Sequence, residues 1–171
     1  FPYTTLFRSS CQGWGAHCGD QTFGGQWSSG ESLNHINFLE LKACYLALQS
    51  LFKKSNNIHV HIKSDNSTTV AYICHFGGSQ SQSLNELARE IWMWCMDRNI
   101  WLSVSHLPGN QNGKADFASR HFHEDLEWKL DSKIFARICE IFLAPQIDLF
   151  ASRLNYQMEP FVSWHLEPGA S

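Results

Sequence analysis

The chain is poor in charge. Only 17% of its 171 residues are Asp, Glu, Lys or Arg, and 13 basic residues face 16 acidic ones, for a net charge of −3. That shortage of cations argues against a free-standing basic nucleic-acid binder, whose hold on phosphate needs a clustered positive surface. No apolar run approaches the ~20 residues of a membrane span. No charged segment followed by an apolar one opens the chain, so the expectation is an intracellular protein without a membrane partner. None of the six cysteines forms a Cys-x-x-Cys pair, and at this length they do not read as a disulfide framework. Cys44 and Cys95 fall on apolar helix faces and read as buried thiols. Apolar material is what the chain has: 43% hydrophobic residues, 13% aromatics and seven Trp. That is enough for one domain with a sizeable core.

Patterning divides the chain into elements. Trp14, Ala16 and Cys18 alternate with Gly13, Gly15 and His17, and Gly19-Asp20 supplies a turn, so residues 11–27 read as a β-hairpin. Gly24-Gly25 in the return strand predicts a bulge or a close backbone approach. Residues 28–35 are polar and loop-like, with room for one short edge strand. Phe38, Leu41, Cys44, Tyr45, Leu48, Leu51 and Phe52 recur at helical spacing, which predicts a helix over about 37–53, with Asn37 and Glu40 as a capping box. Ile58, Val60 and Ile62 alternate in a strand that ends at Asp65. A short helix over 66–75, an amphipathic helix through Leu84, Leu87, Ala88, Ile91, Trp92 and Cys95, a strand over 100–106 and a short helix from Gly113 follow. Strands joined through helices pair in parallel, and the hairpin adds antiparallel pairs, so the expected fold is α/β with a mixed sheet. Past Glu124 one more helix and a Pro-containing tail read as a connector without a second core.

Three carboxylates stand at the ends of these elements. Asp65 closes an apolar strand, where open α/β sheets place ligands. Glu40 borders the apolar stripe of its helix, four residues before Cys44. Asp116 falls in the first turn of the helix after the strand ending at His106. Clustered carboxylates repel, and divalent cations are the usual remedy. Each residue also has a plainer reading: Glu40 and Asp65 as helix caps, and Asp116 as a complement to a helix dipole.

Taken together, the stretches SCQGWGA (Ser10–Ala16), HINFLELKA (His35–Ala43), HIKSDNSTTV (His61–Val70) and SHLPGNQNGKADFASR (Ser105–Arg120) resemble the ribonuclease H domain of a retroelement reverse transcriptase. Gly25-Gln26-Trp27-Ser28, and downstream PQIDLFASRLN with FVSWHLEPGA, resemble the DIRS type of retrotransposon, which uses a tyrosine recombinase. The resemblance implies an RNase H-like α/β fold, a five-stranded mixed sheet with helices on both faces. It implies hydrolysis of the RNA strand of an RNA–DNA hybrid by two Mg²⁺ ions, with Mn²⁺ as a substitute. Glu40 and Asp65 would hold one ion and Asp116 the other. His106 matches the family's mobile-loop histidine, which assists proton transfer or product release; a loop histidine without a role is the alternative. Asn37, Asn112 and Arg120 would touch the substrate, with helix capping as the competing role of both asparagines. An upstream polymerase domain and a downstream domain of the same polyprotein are the implied partners. Residues 10–123 would form the domain, and residues 124–171 a connector.

One departure is decisive. The family's first Asp, which bridges both ions, falls two positions before Ser10, and that position holds Arg8. A cation there predicts an impaired nuclease. One back-translation of residues 1–9 matches the end of a common short-read sequencing adapter, so this stretch reads as an artefact with no place in the fold. Its plainer reading is a native strand, with Tyr3, Thr5 and Phe7 on one face. A second departure is the absence of Lys and Arg from Phe76 to Glu86, where cellular relatives often carry a basic helix and loop. The rival readings are a non-catalytic RNase H-fold binding or tether module, an integrase-like nuclease, and an unrelated α/β domain. Integrase-like enzymes place their Glu after both Asp residues, the reverse of the order here. His121, His123 and Cys139 fit no usual zinc spacing. His59 and His61 read as packing on a sheet face.

Overall fold

A computed structural model describes residues 3–108, 113–120 and 128–171. They fall into two compact units, Phe1–Phe122 and His123–Ser171.

The first unit is built on a five-stranded sheet in the order β3-β2-β1-β4-β5. The strands are β1 (Tyr3–Ser9), β2 (Gly13–Cys18), β3 (Gln21–Gln26), β4 (Ile58–Ser64) and β5 (Ile100–His106). β1, β2 and β3 pair antiparallel, whereas β1–β4 and β4–β5 are parallel. The segment with no expected place in the fold is therefore the middle strand. Thr5, Phe7 and Ser9 are buried along one face of it, the period-2 alternation of a strand with one face in a core. The polar, loop-like segment 28–35, with room for one short edge strand, holds a short 3₁₀ turn, Glu31–Leu33. Ser28 explains this: its amide and hydroxyl both donate to Glu31 Oε2, at 2.9 Å each. This local turn takes the backbone away from a ladder.

Three helices supply the main core. α1 (Ile36–Phe52), α2 (Ser67–Cys74) and α3 (Gln82–Met96) bury Leu39, Leu41, Cys44, Leu48, Ile73, Leu87, Ile91 and Cys95 with Phe7, Trp14, Val60, Ile62 and Leu102 of the sheet. The cap of α1 is His35, whose Nδ1 accepts from Asn37 N at 3.2 Å. The expected Asn37–Glu40 capping box is absent because the helix starts one residue earlier than Asn37, which leaves both side chains for other work. Asn66 caps α2, its Oδ1 accepting from Thr69 N at 2.9 Å, so Asp65 is not the cap.

A fourth helix, α4 (Gly113–Ala118), lies over the opposite face of the sheet. Along β2, Trp14 and Ala16 join the main core, and Gly15 between them faces α4. A Cβ on Gly15 would stand 2.5 Å from both Ala115 O and Ser119 N, and one on Gly24 would strike Trp14 O and approach Ala118 O to 3.0 Å. Gly24 thus marks a close approach, and no bulge interrupts its register with Gly15. Ser10 ties the helix down by donating to Ser119 O at 2.7 Å.

The second unit carries the one further helix expected past Glu124. It contains α5 (Ser132–Ile141), capped by Asp131, and two parallel two-residue strands, β6 (Asp148–Leu149) and β7 (Phe161–Val162). Ala151, Asn155 and Phe161 are buried. Tyr156 stacks on Phe161 with ring centroids 4.8 Å apart, and Arg153 N donates to Glu167 Oε1 at 3.0 Å.

Candidate functional site

Parallel register assembles the site. Leu6 of β1 pairs with Lys63 of β4, and Ser64 of β4 pairs with His106 of β5. Two residues past Leu6 and Lys63 come Arg8 and Asp65, at the same level beyond the carboxyl end of β4. Arg8 also pairs with Gly15, so it lies on the α4 face, next to the helix that carries Asp116. Glu40 enters from the other side, from the first turns of α1.

Arg8 occupies the centre of this group. Its Nη1 forms an ion pair with Asp65 Oδ2, and its Nε lies 2.9 Å from Asp116 Oδ1. Asp116 Oδ1 also accepts from Arg120 Nε at 3.3 Å and Nη2 at 3.2 Å. Two guanidiniums thus face two aspartates. Glu40 is buried, 5% exposed, and its pKa is pushed from 4.5 up to about 7. Burial is the main cause; the Ser9 amide and the Arg8 charge oppose it, and the Asp116 charge adds to it. Glu40 Oε2 and Asp65 Oδ1 are buried with no hydrogen-bond partner.

The expected residues divide accordingly. Asp65 and Asp116 meet through Arg8, and Glu40 senses the charges of Arg8 and Asp116. His106 is exposed at the same strand end, opposite Ser64. Arg120 is engaged by Asp116. Asn37 Oδ1 accepts from Asn66 Nδ2 at 3.0 Å and lines a cleft of about 580 Å³ with His35, Phe38, Ser67, Tyr72 and Ser81. Its lining includes no Lys or Arg. Asn112 and the His121–His123 pair lie outside the described residues. Asn66, which links the cleft to the end of β4, is the residue that sequence reasoning missed; its place directly after a strand-ending Asp and before a Ser-Thr-Thr helix start was the available signal.

No protein-family model and no curated protein matches the chain. Solved structures do match. RNase H1 from Halobacterium salinarum aligns with a TM-score of 0.56 at 15% identity, over 69% of this chain and 94% of its own. LC11-RNase H1 in complex with an RNA/DNA hybrid aligns with a TM-score of 0.55 at 17% identity, over 67% and 91%. A second structure of LC11-RNase H1, isolated from compost by a metagenomic approach, gives 0.53 at 20% identity, over 68% and 91%. The fold is RNase H-like. At these identities the likeness concerns the fold.

The RNase H-like fold raises the question of divalent metal at the carboxylates. Two orphaned acceptors, Glu40 Oε2 and Asp65 Oδ1, are what a cation would satisfy. The guanidinium of Arg8, however, stands where an ion shared by Asp65 and Asp116 would have to sit. Among the described residues, no three His, Cys, Asp or Glu side chains form a ligand set. The residues present do not fit a two-metal centre. Also among the described residues, no helix is long and apolar enough to cross a membrane.

Proposed function

We propose that this chain is the RNase H-type domain of a retroelement reverse transcriptase, of the DIRS kind, that engages RNA–DNA hybrids and is impaired in cutting them. The observation that carries this reading is the Arg8 guanidinium paired with Asp65 and Asp116. The carboxylates have the order and spacing of a hybrid nuclease, and the position that should complete them carries the opposite charge. The adapter-like character of residues 1–9 accounts for such a substitution, with a carboxylate at this position in the parent polyprotein.

The rest of the geometry supports engagement of a nucleic-acid ligand. The cleft beside Asn37 offers neutral hydrogen-bonding groups at the same strand ends as Asp65. Neutral donors and acceptors suit 2′-hydroxyls in the wide minor groove of an A-like duplex. They add no counterion release, so binding by this chain alone is weak, and a neighbouring polymerase domain supplies the basic grip. His106 stands at the edge of the group, able to meet a phosphate or a departing product. Arg8 also favours the non-catalytic reading, in which the fold serves as a binding or tether module.

The test is cleavage of an end-labelled RNA–DNA hybrid in Mg²⁺ by the parent chain and by Arg8→Asp. The expected result is little or no cleavage by the parent and a gain in the variant. Robust cleavage by the parent refutes the impairment. A folded Arg8→Asp chain that neither cuts nor binds hybrid refutes the assignment as a hybrid nuclease domain.

A further inference from the structure

We propose that Arg8 is the resident cation of the carboxylate cluster: it takes the place of divalent metal, so that the charge of residue 8 alone decides whether this site accepts Mg²⁺ or Mn²⁺. The inference uses the same site as the proposed function, but its subject is cation binding, which does not depend on cleavage.

Two sets of contacts support it. First, the guanidinium contacts both aspartates at once, through Nη1 to Asp65 and Nε to Asp116. A planar fork suits this task because it neutralises two carboxylates at fixed separation. Second, Arg120 adds another positive charge on Asp116. The two guanidiniums and two aspartates cancel. A divalent ion entering between Asp65 and Asp116 meets no net negative charge from these four groups, and it must displace a bound, partly buried cation that is covalently tethered to the chain. Arg8 lies on the central strand, its backbone paired with Gly15 of β2 two residues past the end of the ladder to β4, and from there the side chain is presented to the aspartates.

The consequence reverses the usual dependence. The aspartates are held in place with no metal present, and chelation does not loosen them. Replacing Arg8 with Asp leaves three aspartates around one point, with Glu40 beside them and Arg120 at the rim, a cluster that needs an ion to hold together.

Isothermal titration of the full chain with MnCl₂ and MgCl₂, alongside thermal melting in EDTA and in Mg²⁺, tests this. The parent chain should give no saturable heat, and its melting temperature should not respond to Mg²⁺. Arg8→Asp should gain saturable binding, roughly a hundredfold or more tighter than any residual binding by the parent, and should melt lower in EDTA than in Mg²⁺. Saturable binding by the parent that Asp65→Asn abolishes overturns the inference, and this arm stands even where Arg8→Asp fails to fold. So does an Arg8→Gln chain that melts at the parent temperature, because the guanidinium then holds nothing. An Arg8→Asp chain that binds metal but neither cuts nor binds hybrid refutes the hybrid-nuclease assignment and leaves this inference intact.

Discussion

Replacing Glu40 with Gln should make this domain more stable at neutral pH, although it removes a residue at the heart of the candidate site. The carboxyl is 5% exposed, and one of its oxygens has no partner. Burial lifts its pKa from 4.5 to about 7. A displacement of that size corresponds to about 3 kcal/mol of preference for the protonated form. Between these two values the native state keeps a proton that the unfolded chain has released, so stability falls as pH rises through the window and then levels off above about pH 7. The amide of the variant does not titrate. The unfolding free energy of Glu40→Gln relative to the parent should therefore rise by about 3 kcal/mol between roughly pH 4 and pH 8. Urea unfolding followed by Trp fluorescence at several pH values measures it, and titrations shared by both chains cancel in the difference. A pH-independent difference, or one that shrinks as pH rises, refutes the argument that burial holds this carboxyl neutral.

Other expectations concern the frame around the site. Gly15→Ala forces a methyl against Ala115 O and Ser119 N and should cost about 1–3 kcal/mol, read as a lower melting temperature. Asn66→Ala removes the cap of α2 and the bond to Asn37; a loss of about 1 kcal/mol in urea unfolding is expected. Thiol labelling of the folded chain, read by mass spectrometry, should modify exposed Cys11 and Cys74 and spare Cys44 and Cys95. Burial raises the pKa of both spared thiols, that of Cys95 to about 12, so neither supplies the reactive thiolate at neutral pH.

Much of the architecture was legible in patterning because single elements are short-range objects. α1, α3, β4 and β5 follow from period-3.6 and period-2 runs that need no partner to be recognised. The departures came from a long-range partner in one place and from a local turn in another. Residues 3–9 carry the alternation of a strand, yet only pairing with β2 and β4 makes that strand central. Residues 28–35 became a 3₁₀ turn through the local bonds of Ser28 to Glu31. The buried residues of the tail, Ala151, Asn155, Phe161 and Pro168, are few and far apart in sequence, so patterning shows little of the packing there.

The candidate site shows the same division. The ends of elements singled out Glu40, Asp65 and Asp116, and the family resemblance pointed to Arg8, whose charge opposes the other three. Caps were the competing role for Glu40 and Asp65, and spacing could not decide between the roles. Tertiary structure removed the capping role, because His35 and Asn66 take the caps of α1 and α2. It also turned a missing carboxylate into an occupied position. A residue type states which charge is present, whereas the register of parallel strands and the seat of α4 on Gly15 determine which charges come within contact distance.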